Sequence, residues 1–96
     1  MRREEALRIL SQHHEEILSF GVDWLAIFGS VAHDEAGPDS DVDVLVEFSV
    51  PIGLFGCIRL KQYLEQMLGR SVDLATFDAI REPMRESVLR EAIRAA

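Results

Sequence analysis

A small α/β fold, a sheet with helices packed on it, is predicted from three observations in this 96-residue chain. Apolar residues recur at helical spacing over Arg3 to Leu18 and over Leu54 to Leu68. The run Asp41 to Phe48 alternates with period two, the mark of a strand. Glycine, proline and Asp-Ser pairs punctuate the chain between these segments.

Taken in order, Leu7, Leu10, His14, Ile17 and Leu18 form the apolar stripe of the first helix, which Gly21 stops. Asp23 to Phe28 is an apolar run of strand length that begins at Trp24, read as a core residue, and closes at Gly29-Ser30. Ser30 is expected to N-cap a short helical turn over Val31 to Glu35, and residues 36–40 are turn chemistry. In the second strand Val42, Val44, Val46 and Phe48 share one face, and Asp41, Asp43 and Leu45 share the other. Pro51 and Gly53 break the chain before the 54–68 helix, which ends at Gly69. Ser71 to Phe77 is a third strand. Asp78 opens a last helical region with Pro83 near its start and Val88, Leu89, Ala92 and Ile93 as its stripe.

Ninety-six residues fill one domain, 1–96, with no repeat or linker visible. Hydrophobic residues at 48% and charged residues at 28% exclude a disordered chain. Ten Lys+Arg against 17 Asp+Glu give a net charge of −7. Phosphates repel such a chain, which argues against direct nucleic-acid binding and favours cations, metal-borne nucleotides or a basic protein partner. A single cysteine, Cys57, excludes an intrachain disulfide and is read as a small core residue of a reducing compartment. Apolar runs fall short of the ~20 residues that span a bilayer, so the expectation is a cytoplasmic protein with no membrane contact.

The chemistry is concentrated in Gly29-Ser30, Asp41-Val42-Asp43 and Asp73. Residues i and i+2 of a strand point the same way, ~7 Å apart, so Asp41 and Asp43 place two carboxylates on one face. If the strand holding Asp73 pairs beside 41–48, a third carboxylate joins them. Such clustered acids resist ionisation unless a cation lies among them, and three carboxylates on a strand surface suit Mg²⁺. Two Mg²⁺ ions about 3.5–4 Å apart can hold a nucleoside triphosphate and steady its attacking and leaving oxygens. Gly29-Ser30, between a strand and a helical turn, offers close backbone approach, free N–H groups and a hydroxyl to a phosphate. The combination points to nucleotidyl transfer.

Phe28-Gly29-Ser30-Val31-Ala32 followed by Pro38-Asp39-Ser40-Asp41-Val42-Asp43-Val44-Leu45-Val46 closely resembles the signature of the polymerase-beta-like nucleotidyltransferase superfamily, and the short length points to its minimal (MNT) branch. The resemblance takes in nearly the whole chain, through Val72-Asp73-Leu74 to an Arg-rich closing helix from Arg85 to Ala96. It implies the small mixed sheet of that fold and a likeness to MntA-type antitoxins, which are paired with HEPN ribonuclease toxins. It further implies Mg²⁺-dependent transfer of AMP from ATP onto a tyrosine of such a toxin, within a hetero-oligomer. By position, Asp41, Asp43 and Asp73 match the metal-binding and catalytic carboxylates, with Asp73 a candidate general base. Gly29, Ser30 and Ser40 match the phosphate-binding segment. Where many members carry Arg-Gly, this chain has His33-Asp34: an imidazole stands for a guanidinium and an acid for a glycine. His33, if protonated, would substitute in part. The alternative expectation is an antitoxin that neutralises by contact alone.

His13-His14-Glu15-Glu16 is not read as a metal tract, because adjacent residues point around a helix. Arg81, Arg85, Arg90 and Arg94 alternate with Glu82, Glu86 and Glu91 as an ion-paired face, and Tyr63 is read as packing rather than as a self-modification site.

Overall fold

The structure, a computed structural model, describes residues 1–35, 37 and 40–95. Its elements in order are α1 (Arg3–Gln12), α2 (His14–Leu18), β1 (Val22–Phe28), α3 (Gly29–Ala32), β2 (Val42–Phe48), α4 (Leu54–Leu68), β3 (Val72–Thr76), a 3₁₀ turn (Phe77–Ala79), α5 (Glu82–Glu91) and β4 (Ile93–Arg94). The four strands form one mixed sheet in the order β3-β2-β1-β4, as expected of a small α/β fold. β1 runs antiparallel to both β2 and β4, whereas β2 and β3 run parallel. A parallel pair needs a long crossover, and α4 is that crossover.

The helix expected over 3–18 is two helices, because His13 interrupts it. In a continuous helix its N–H would donate to the Ile9 carbonyl. Instead His13 Nδ1 donates to Ile9 O at 2.8 Å, and the backbone N–H shifts to Leu10 O at 3.2 Å. The interruption turns the second segment. Ile17 stays buried, His14 faces out instead of joining the stripe, and Leu18 is left 36% exposed.

One face of the sheet carries the core. Val22, Leu25 and Ile27 of β1 and Val42, Val44 and Val46 of β2 meet Ala6 and Leu10 of α1 and Leu60, Leu64 and Leu68 of α4. Val22 and Leu25 share this face although three residues apart. The register of β1 on β2 shifts by one between Val22 and Trp24, a bulge that swallows Asp23. Past the bulge Trp24, Ala26 and Phe28 turn to the opposite face, so Trp24 is half-buried there and is not part of the main core. Cys57 is likewise half-buried on α4.

α4 ends where the sequence places its stop, with Gly69 at φ +67°, the left-handed C-terminal conformation. The C-terminal region departs from expectation. Asp78 lies in the separate 3₁₀ turn, and the helix proper starts at Glu82 with Pro83 in its first turn. The backbone becomes extended at Ala92, and Ile93 leaves the predicted stripe to pair with Ile27. The unpaired edge of β1 supplies the reason, since its backbone groups need partners. Ala95 N–H adds a further bond to Leu25 O at 2.8 Å. α5 buries no residue and leaves Met84 and Leu89 exposed. No helix among the described residues is long and apolar enough to cross a membrane.

Candidate active site

The register of the sheet assembles the carboxylates. In the parallel pair Asp43 lies directly opposite Asp73, and in the antiparallel pair it lies opposite Phe28. Opposed residues share a face, so Asp43 and Asp73 stand together on the side of the sheet away from the main core. Asp41, just before β2, is exposed, Asp43 is half-buried and Asp73 is exposed. The carboxyl group of Asp43 is held above its ordinary pKa of 3.8, first by burial, then by the charges of Asp73 and Asp41. The three acids are therefore electrostatic neighbours, as the alternation and the third strand predict.

Among the described residues, no three His, Cys, Asp or Glu side chains converge into a group that encloses a metal ion by themselves. Mg²⁺ takes one or two carboxylates and completes its shell with substrate phosphate and water, and a half-buried Asp43 between the exposed Asp41 and Asp73 offers carboxylate oxygens suited to that division. The raised pKa of Asp43 has the same sense, since an added cation would relieve it.

Gly29 connects β1 to the site. It lies at φ +69°, in the left-handed region, and a Cβ there would overlap the Asp43 carboxylate. Glycine is thus required twice over, by the backbone turn and by the approach of the acid. The turn starts α3 two residues earlier than expected: Phe28 is the N-cap, and Ser30 sits inside the first turn with no capping role. Ser30 Oγ makes no hydrogen bond with a described residue, and the Ser30 carbonyl accepts from Glu35 N–H at 2.8 Å. Ser40 is bonded to Gly37. Its Oγ accepts from Gly37 N–H at 2.9 Å and its N–H donates to Gly37 O at 3.2 Å, closing the turn before β2. Ala36, Pro38 and Asp39, also within the predicted turn and signature, lie outside the described residues.

His33 and Asp34 have structural partners that the sequence does not reveal. His33 Nε2 lies 3.4 Å from Glu91 Oε2 of α5. Asp34 is the one described non-glycine residue at positive φ, +57°, and its Oδ1 accepts from the Arg3 N–H at 2.6 Å. Asp tolerates the left-handed region better than most residues, which was the available signal. Glu91 carried none, because its partner is 58 positions away. In the last region Arg85 is ion-paired with Glu82, Nη1 to Oε2 at 3.4 Å. Arg85 mainly ties down the 3₁₀ turn: Nε donates to Ile80 O at 2.7 Å, and the guanidinium sits 5.3 Å from the centre of the Phe77 ring. Tyr63 packs on Phe20 at 5.2 Å and donates its hydroxyl to Glu16 Oε2 at 2.7 Å, consistent with packing.

Comparison with known proteins supplies the family. Residues 4–95 match the family described as "Nucleotidyltransferase domain". The chain is 41% identical over 91 residues to the protein adenylyltransferase MntA of Thermococcus cleftensis, covering 94% of this chain and 92% of that protein. A solved minimal nucleotidyltransferase structure superposes with a TM-score of 0.77 at 40% identity, covering 97% and 95% of the two chains. A chain from the complex of a tri-AMPylated Shewanella oneidensis HEPN toxin with MNT antitoxin superposes with a TM-score of 0.65 at 16% identity, covering 94% and 71%, a likeness of fold.

Proposed function

Because the chain belongs to the nucleotidyltransferase domain family, we propose that residues 1–96 act as one domain that transfers AMP from ATP, with Mg²⁺, onto a tyrosine hydroxyl of a HEPN ribonuclease toxin and so silence it. The observation that carries this reading is the facing of Asp43 and Asp73 in register, with Asp41 in electrostatic reach and Gly29 against Asp43. The relative named as a protein adenylyltransferase and the fold shared with an MNT antitoxin support the protein acceptor.

In this reading Asp41, Asp43 and Asp73 hold the metal ions, which neutralise triphosphate charge and stabilise the developing oxyanions when bound. The Gly29-Ser30 turn seats a phosphate with its N–H groups and the Ser30 hydroxyl. Asp73, exposed on β3, accepts the proton of the incoming hydroxyl as the oxygen attacks the α-phosphorus and pyrophosphate leaves. Ser40 closes the loop that delivers Asp41, and because its Oγ accepts from Gly37 N–H its own hydroxyl proton is left to donate to a phosphate oxygen.

The test is mass spectrometry of the chain co-expressed with its HEPN partner. The partner is expected to gain one or more adenylate masses, and the pair Asp41→Asn, Asp43→Asn to gain none. A partner left unmodified but still neutralised by that double variant would replace transfer with neutralisation by contact.

A further inference from the structure

We propose that Asp34 is a positioning residue for nucleotide binding, fixing the Gly29-Ser30 turn by fastening the end of α3 to the start of α1; this rests on the reading of that turn as the phosphate seat. The first N–H groups of any helix lack partners within it. Arg2, the N-cap of α1, contributes no side-chain bond to them. The missing cap comes from 31 residues away, as Asp34 Oδ1 accepts from Arg3 N–H at 2.6 Å. A carboxylate at a helix N-terminus is also favoured by the helix dipole. Asp34 reaches that position only because its backbone takes φ +57° immediately after α3.

The fastening acts on a short element. α3 has four residues, so its last turn and its first are the same turn: Gly29 O accepts from His33 N–H at 3.3 Å, and Val31 O accepts from Asp34 N–H at 3.1 Å. A displacement at Asp34 is therefore passed directly to Gly29 and Ser30. Two contacts brace the same end: Arg3 Nη1 donates to Ala32 O at 3.4 Å, and His33 lies 3.4 Å from Glu91. Ala32 and Val31 are buried, which leaves the turn little other freedom.

The bond can be deleted from either side. Asp34→Gly keeps the left-handed backbone and removes the acceptor, while Asp34→Asn keeps both. Arg3→Pro removes the donor at the first helical position, where proline is tolerated, and the extended Arg2 (φ −85°, ψ 153°) already suits a following proline. Arg3→Ala keeps the N–H and serves as its control. Affinity for ATP with Mg²⁺ is measured by titration calorimetry on the full chain, well below each variant's unfolding temperature.

Asp34→Gly is expected to weaken ATP binding by about three- to tenfold and Arg3→Pro to bind about three- to tenfold more weakly than Arg3→Ala, which shares its loss of the Nη1 bond; Asp34→Asn is expected to stay within about twofold of the parent, and Asp34→Gly with Arg3→Pro to be no weaker than Arg3→Pro alone. A role in stability alone would lower the unfolding temperature and leave these affinities unchanged, which overturns the inference, as do additive losses or no rescue by Asn. If Asp34→Gly does not fold, Arg3→Pro decides alone. A parent chain that binds no ATP overturns the phosphate-seat reading as well; parent binding with unaffected variants overturns only the role of Asp34.

Discussion

Asp43 is the residue through which the site's electrostatics are most open to measurement. Its folded-state pKa is raised, so the folded chain takes up its proton more readily than the unfolded chain does. Its ionised carboxylate therefore opposes folding at neutral pH, and stability recovers as pH falls through the raised value toward the ordinary 3.8. Asp43→Asn is expected to raise the unfolding temperature in metal-free buffer at pH 7, with the advantage over the parent shrinking toward pH 4, while transfer is lost. Thermal melts of both proteins in chelator across that range check it. Tyr63 gives a second titration: partial burial, then its bond to Glu16 and that carboxylate's charge, push the phenol up to about 12. Its ultraviolet phenolate signal should not develop below pH 11. At this scale the carboxylates were legible because period-two alternation assigns faces without any knowledge of contacts. The bond from Arg3 to Asp34 was not, because it depends on one backbone dihedral and crosses 31 positions.

Among the elements, two glycines at similar φ separate structure from chemistry. Gly69 ends α4 at φ +67° with open space around its missing side chain, and Gly29 turns at φ +69° against Asp43. Gly69→Ala should cost only the left-handed backbone, about 1–2 kcal/mol, and leave transfer unchanged. Gly29→Ala should cost at least that and abolish transfer, because the added methyl displaces the Asp43 carboxylate. Urea unfolding beside a transfer assay distinguishes the two. α4 and its stop were readable because a long periodic helix with a glycine terminator carries redundant signals. The break at His13 and the strand β4 were not. The first depends on an imidazole competing for one carbonyl, and the second is a two-residue strand whose pairing is decided by the open edge of β1.

For the whole molecule, −7 becomes a requirement for counter-charge at one face of the sheet. ATP with Mg²⁺ at 100 times its dissociation constant should stabilise the fold by about 2.7 kcal/mol, a rise of roughly 10–20 °C in a domain of this size. The rise should vanish in the double variant of Asp41 and Asp43, as scanning fluorimetry would record. The sequence placed Asp73 in a third strand but left its pairing open; the crossover through α4 sets that strand parallel to β2 and brings Asp73 opposite Asp43. The far end of the sheet followed from no such rule.

The strand order has one more consequence. Among the described residues β3 is hydrogen-bonded to a strand on one side only, and it reads Val-Asp-Leu-Ala-Thr, five residues of which the second is the sole charge. Exposed sheet edges invite the edges of other molecules, and a charge set into a short strand is a common deterrent to that self-association. The acid proposed to take the proton of the attacking hydroxyl is thus also the sole charge set into that strand, so an inactive Asp73 variant made for crystallography is the one most in need of a solubility check.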